Sequence, residues 1–384
     1  MMHVAIVGAG PAGAWAAYSL ARRGARVTLL DPSHPREKPC GGGVTGRALA
    51  LAGSALDIAS LPACVIRSAR FVDAAGGSSA AVRLATPAAL VVASRAVFDG
   101  LLLAAARDAG AKVLAARVTD VAYEHDSVRL ETTAGSLRAA HVIGADGANS
   151  LIRRRLAAPF RRDQLSIATG YFAHGVTSDE IVIELVPDPA GYIWSFPRPS
   201  HLAIGICAQA DTATAAALRA KVLAWIRERG IAAGARLEPY SWPIPSLGAA
   251  DFETLTISGR GWSLTGDAAG LVDPITREGI YFALLSAQWA ADALASGDEG
   301  ASRRYAERVR ADIGTELARA ARFKASFFRP RFTRVMIDAL RHSARIRAVM
   351  ADLVAGSQPY AGLTWRLAKT FELGVAWRLI RQRE

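Results

Sequence analysis

The chain has 384 residues, of which 51% are apolar and 21% charged, which excludes global disorder and provides for a large core spread over two or three domain-sized units. Three cysteines, Cys40, Cys64 and Cys207, show no CxxC spacing and no close His/Cys cluster, which argues against a disulfide scaffold and a metal site and for a reducing compartment. The net charge of +12 is uneven: residues 322–384 carry 13 lysines and arginines against 4 acids, the rest 33 against 30.

In chain order, residues 4–7 read as a buried-type strand rather than a signal peptide, because no charged start or small-residue cleavage site accompanies them. Residues 11–23 read as a helix stopped by Gly24, and Arg26–Leu30 as a second strand. Residues 96–109 read as a helix with Phe98, Leu101, Leu102 and Ala105 on one face, ending at Gly110. Strands are expected over 112–123, 127–132 and 137–143, then over 182–185 and 192–196 in a β-rich stretch. Residues 254–264 lead into a glycine turn, followed by helices over 279–294 and 302–327 and a helical remainder broken at Pro330 and at 356–359. The longest apolar run, 280–296, contains Asp292 and is short for a membrane span, so a soluble or peripheral protein in the cytoplasm is expected. This order implies an α/β nucleotide domain interrupted by a substrate domain.

Gly8-Ala9-Gly10-Pro11-Ala12-Gly13 sits between the first strand and the first helix. There the first glycine permits the tight turn, the second lets backbone approach a pyrophosphate, and the third lets helix and strand pack closely. The helix N-terminus offers N–H groups and a positive dipole end to phosphates. Asp31 ends the second strand and suits a ribose hydroxyl pair. The fingerprint alone leaves NAD and FAD open. Two later turns, Asp146-Gly147 and Gly266-Asp267, each end a strand; Asp267 suits a ribityl hydroxyl, and the helix after Gly279 suits a flavin ring.

With Arg95 at the head of the Phe98 helix, this set resembles the FAD-dependent oxidoreductases built like aromatic hydroxylases, where an arginine lies near the phosphates. The resemblance implies non-covalent FAD held by Gly8, Gly10, Pro11, Ala12, Gly13, Asp31, Arg95, Val118, Asp146, Gly147, Gly266, Asp267, Pro274, Gly279 and Ile280. Three segments narrow it. PREKPCGGGV at 35–44 resembles the cysteine–glycine loop of geranylgeranyl reductases. YIWSFPR at 192–198 resembles their Tyr-x-Trp-x-Phe-Pro-Lys motif, with Arg198 for lysine. GDAAGLVDPITREG at 266–279 is similar to their flavin-contact stretch, with Arg277 where glycine is usual, and AGSQPY at 355–360 also looks like theirs.

That family implies a Rossmann-type FAD-binding domain (1–60, 88–160 and 254–320), a mixed β-sheet substrate domain (61–87 and 161–253) and a helical C-terminal region (321–384). It implies an enzyme that uses reduced FAD to saturate carbon–carbon double bonds of an isoprenoid, fed by NAD(P)H or a redox protein. Cys40, Gly41 and Gly42 then lie at the flavin, and Cys40, Tyr192, Trp194 and Phe196 form the catalytic site. Read from the residues alone, Tyr192, Trp194 and Phe196 share one face of a strand, either as core or as an aromatic pocket wall. Cys40 is either a small filler or a thiol tuned by Lys38 and backbone amides. Cys64 and Cys207 read as core. The proton donor stays open among Tyr192, Cys40 and water.

The nearest rival is a flavin monooxygenase acting on a hydrophobic substrate. Flavin-dependent halogenases share the GDAAG-x-x-DP stretch, but their lysine in an early strand has no counterpart between residues 64 and 92. The basic tail, with Arg329, Arg331, Arg334, Arg341, Arg345 and Arg347 among Phe327, Phe328, Phe332, Ile337 and Leu340, suits an anionic membrane surface or a solvated helical face. No nucleic-acid motif accompanies the charge.

Overall fold

The computed structural model describes residues 2–370 except 75, 76, 87, 125, 298 and 299. The fold is α/β. Val4, Ala5 and Ile6 are fully buried, because a strand covered on both faces needs an unbroken apolar run. Strand His3–Val7 pairs in parallel with Arg26–Leu30 and His141–Gly144, at the centre of a six-stranded sheet that runs Ser258–Gly259, Trp262–Leu264, His141–Gly144, His3–Val7, Arg26–Leu30, Lys112–Leu114. Helix Pro11–Ala21 starts with proline at its head, packs on helices Arg95–Asp108 and Ile280–Ala295, and stops before Gly24, whose φ of +80° suits glycine.

The stretch 112–123, read as one strand, is two: Lys112–Leu114 in the parallel sheet and Val118–Glu124 in an antiparallel meander with Ser127–Thr132 and Gly135–Ala139. The stretch 137–143 also divides, since the chain leaves the meander at Ala139 and enters the central sheet at His141. Its apolar alternation runs through Ala140 and hides the change of sheet.

The second domain is a seven-stranded sheet in the order Arg236–Pro245, Leu165–His174, His201–Gln209, Ala190–Pro197, Glu180–Pro187, Ser68–Asp73, Ser79–Arg83. It is antiparallel except where Glu180–Pro187 meets Ser68–Asp73. Helix Ala215–Arg229 covers one face with Leu218, Val222 and Trp225 against Ile193, Ile204 and Ile206. This helix is absent from the predicted elements, although Leu218, Val222, Trp225 and Ile226 form the stripe of an amphipathic helix. A three-stranded sheet of Gly43–Thr45, Leu90–Ala93 and Ala63–Val65 stands between the two larger ones and brings the cysteine–glycine loop to the opposite face of the second domain. Helices Thr315–Phe327, Pro330–His342 and Ala344–Val354 form the C-terminal region; Met336, Ile337 and Leu340 pack on Phe71, Val82 and Ile181 of the sheet.

Candidate active site

The dinucleotide end is built by close backbone packing. A Cβ at Gly13 would lie 1.8 Å from the Gly8 carbonyl oxygen, and one at Gly8, whose φ is +98°, 2.5 Å from that of Ala145. At Gly10 the nearest atom would be His34 Nε2 at 3.7 Å, so this glycine leaves room above the turn. The Asp31 carboxylate accepts from the Ala9 N–H at 2.9 Å, from His34 Nδ1 at 2.9 Å and from the Ser33 and His34 N–H groups. Burial pushes its pKa up, but the His34 and backbone hydrogen bonds outweigh this and hold it well below the usual carboxylate range. Asp146 accepts from the Leu151 N–H with Oδ2, while its buried Oδ1 has no hydrogen-bond partner among the described residues. Helix Ile280–Ala295 begins without a side-chain cap, so its first N–H groups face the cavity mouth beside Gly279 and Ile280. Asp267 accepts from Lys38 Nζ at 2.9 Å. A glycine cradle, an unpartnered buried carboxylate oxygen and an uncapped helix start fit a dinucleotide with a flavin ring. Gly266, packed on Ala12 and Ala283, and buried Pro274 shape the loop, whereas Val118 lies in the core of the first domain, away from the cavity.

The cysteine–glycine loop is held by Arg198. This side chain is fully buried; it pairs with Glu37 and donates to the Cys40 carbonyl at 2.6 Å and the Gly41 carbonyl at 3.4 Å. Glu37 in turn accepts from Ser94 Oγ at 2.6 Å and the Arg95 N–H at 3.0 Å, capping the Arg95–Asp108 helix. Burial pushes the Glu37 carboxyl up, and Arg198 with these donors holds it below its ordinary value. Arg95 is buried, bidentate to Asp99 at 2.8 Å, and reaches Cys40 Sγ at 3.5 Å; Arg198 Nη2 lies 3.9 Å from the same sulfur. Two guanidinium groups therefore face the thiol, where sequence reading offered Lys38 and backbone amides. A Cβ at Gly41 would sit 3.0 Å from the Phe196 ring, so glycine permits that contact.

From this loop a cavity of about 230 Å³ runs between the domains. Its lining joins Pro11, Lys38, Asp267 and Gly279 of the dinucleotide side, Arg95, Cys40 and Phe196 at the cysteine–glycine loop, and Tyr192, Trp194, Ile181, Ile183 and Leu185 of the second domain's sheet. Phe327, Met350, Leu353 and Val354 of the C-terminal helices close it. Tyr192 and Trp194 lie 5.7 Å apart between ring centres. The Tyr192 hydroxyl donates to the Thr276 carbonyl at 3.2 Å, and burial, with Cys207 adding to it, pushes its pKa well up. Cys207, read as core, is buried and also lines this wall, while Cys64 is only half-buried. Arg277 keeps a left-handed backbone, φ +61°, so the loop retains a glycine-like course with a side chain added. The loop is fixed from outside by Tyr360, whose hydroxyl donates to Asp273 at 2.9 Å, and by Glu278, which binds Arg47 and Thr45. Sequence reading missed Glu37, Lys324 and the Tyr360 contact; each acts over a long stretch of chain that no local pattern records.

The FAD binding domain family matches residues 1–225. The chain belongs to that family. A menaquinone reductase of Mycolicibacterium smegmatis is 30% identical across 99% of this chain and 98% of its own length. Digeranylgeranylglycerophospholipid reductase 2 of Methanothermobacter thermautotrophicus is 29% identical over 84% of this chain and 86% of its own. Among solved structures, a geranylgeranyl bacteriochlorophyll reductase-like protein of Thermoplasma acidophilum shares the fold, with a TM-score of 0.78 and 21% identity over 96% of this chain and 99% of that one. The resemblance to geranylgeranyl reductases read from the sequence is borne out, and this flavoenzyme is an FAD-dependent oxidoreductase of that type.

Proposed function

We propose that this flavoenzyme reduces carbon–carbon double bonds in the polyprenyl chain of a lipid. The observation that carries this reading is a cavity lined both by Pro11, Asp267 and Gly279 and by an apolar wall of Ile181, Ile183, Leu185 and Trp194. The compounds in the relatives' names, a menaquinone and a digeranylgeranyl lipid, differ in headgroup and share a polyprenyl chain, which supports recognition of the chain.

The glycines of the first turn, Asp146, Asp267 and the start of helix Ile280–Ala295 are the groups proposed to hold FAD, which when bound and reduced supplies the hydride. An isolated alkene offers no carbonyl to polarise, so orientation carries much of the task. Tyr192, Trp194 and Phe196 align the chain and exclude water. Tyr192 stays protonated because burial raises its pKa, and its hydroxyl is fixed on the Thr276 carbonyl, so a proton is held at Tyr192 Oη; Cys40 lines the same cavity. NAD(P)H or a redox protein is the proposed electron source.

In the same reading the C-terminal helices rest on a membrane. Arg331, Phe332 and Arg334 are exposed on helix Pro330–His342, and the Phe332 ring lies 5.7 Å from cavity-lining Phe327. The test is anaerobic incubation of the reduced holoprotein with geranylgeranyl lipids and a menaquinone, followed by mass spectrometry. A gain of two hydrogens per turnover is expected; dioxygen-dependent hydroxylation with no hydrogen gain refutes the reductase reading.

A further inference from the structure

Arg277 and Lys324 come from different elements and meet at one hydroxyl. Arg277 Nη1 donates to Ser246 Oγ at 2.6 Å and Lys324 Nζ at 2.8 Å; Ser246 Oγ donates onward to Gln209 Oε1 at 3.1 Å. Lys324 also donates to Gln209 Oε1 at 2.7 Å. Among the described residues no carboxylate lies within ion-pair distance of either cation, Asp211 and Asp273 acting on them only from further off, and the buried Nε of Arg277 has no acceptor. The cluster adjoins the cavity: Arg277 lines it, as do Cys207 and Ile244, each two residues before Gln209 and Ser246.

Two half-buried cations sharing one neutral hydroxyl oppose each other and lose hydration, a combination that packing alone does not require. Burial first, and the Arg277 charge second, bring Lys324 down to about 7. Arg277 adds the strain of a left-handed backbone where glycine would have none. An anion with several oxygens removes these costs at once: it neutralises both charges and accepts from the unused Arg277 donors, a fork suited to phosphate.

We infer that Arg277 and Lys324, set on Ser246 and Gln209, form a site on the cavity wall for a phosphate-type oxyanion. This deepens the polyprenyl-reductase reading and rests on it for the lipid part: the proposed substrate carries an acidic phosphate head held beside Arg277. The same chemistry is shared by a free inorganic anion, and the experiment separates the two.

Geranylgeranyl diphosphate, geranylgeraniol and inorganic diphosphate are titrated into the FAD-loaded protein, followed by tryptophan fluorescence and flavin absorbance. Geranylgeranyl diphosphate is expected to bind at least tenfold more tightly than geranylgeraniol, and inorganic diphosphate to compete with it. In Arg277→Gly, which restores an unstrained backbone, and in Lys324→Met, the preference falls below threefold with geranylgeraniol binding retained. Inorganic diphosphate that binds the wild type without displacing the lipid keeps the site and assigns it to a free anion. If neither lipid binds, inorganic diphosphate decides: binding lost in both variants upholds the site while the polyprenyl reading fails. A lipid preference kept in both variants, or inorganic diphosphate binding that is absent or unchanged by the substitutions, overturns the site; equal affinity for the two lipids overturns the phosphate-headed substrate and leaves the site standing only where inorganic diphosphate binding is lost in both variants.

Discussion

Replacing Tyr360 with phenylalanine removes one oxygen atom from the contact between the C-terminal segment and the flavin-contact loop, and opens no cavity. The lost bond is from a buried phenol to the Asp273 carboxylate at 2.9 Å. Hydrogen bonds to charged groups are worth about 1.5–3 kcal/mol. Asp273 keeps the Ile275 N–H at 2.7 Å and the Thr276 N–H at 2.9 Å on Oδ1, but its buried Oδ2 loses the Tyr360 hydroxyl, so the upper part of that range, about 2–3 kcal/mol, applies. At 1.4 kcal/mol per decade this is roughly a 30- to 140-fold rise in local opening. Native-state hydrogen exchange reads it directly: the amides of Ile275, Thr276 and helix Leu363–Ala368 should exchange faster by that factor, while strand His3–Val7 keeps its protection. A change under threefold in both segments would show that Tyr360 does not hold the loop.

Lys324→Met should change the pH dependence of stability. The unfolded lysine holds its proton to its ordinary 10.5 and the folded one releases it near 7, so the unfolded state binds more protons between these values and wild-type stability rises with pH across that window. The variant should lose that rise and gain most, relative to wild type, at pH 7 and below; parallel thermal midpoints from pH 6 to 10 would refute this. Gly13→Ala places a Cβ 1.8 Å from the Gly8 carbonyl oxygen, so the purified protein should lose its FAD, seen as missing flavin absorbance. Cys40→Ala should keep FAD and lower turnover; an unchanged rate makes Cys40 a filler. Co-sedimentation with anionic vesicles should fall when Arg331 and Arg334 are both made glutamine, and binding indifferent to lipid charge and salt removes the membrane reading.

The parts legible in the sequence are those that a few neighbouring residues decide. The first turn is one: its three glycines, the flanking strand and Pro11 all sit within a dozen positions, and their packing is local. The face shared by Tyr192, Trp194 and Phe196 is another, since period-two alternation alone sets it. Arg198 was visible only as a substitution for lysine. Its role as a clamp depends on Glu37 and Cys40, over 150 residues away along the chain, and only folding makes that distance short. The charge at Lys324 was equally hidden, because an amphipathic helix looks the same whether its lysine meets water or a second cation. The division of residues 137–143 between two sheets failed for the converse reason: the local pattern was clear, and tertiary context overrode it.

The closing wall of the cavity, formed by Phe327, Met350, Leu353 and Val354, belongs to helices that lie outside the dinucleotide turn, the cysteine–glycine loop and the aromatic strand. The depth of the cavity is thereby set by parts separate from those that handle electrons. A larger side chain at position 350 or 354 takes up space in the cavity and a smaller one adds to it. The C-terminal helices thus adjust the size of the cavity, and on the polyprenyl reading single substitutions there are expected to shift chain-length preference.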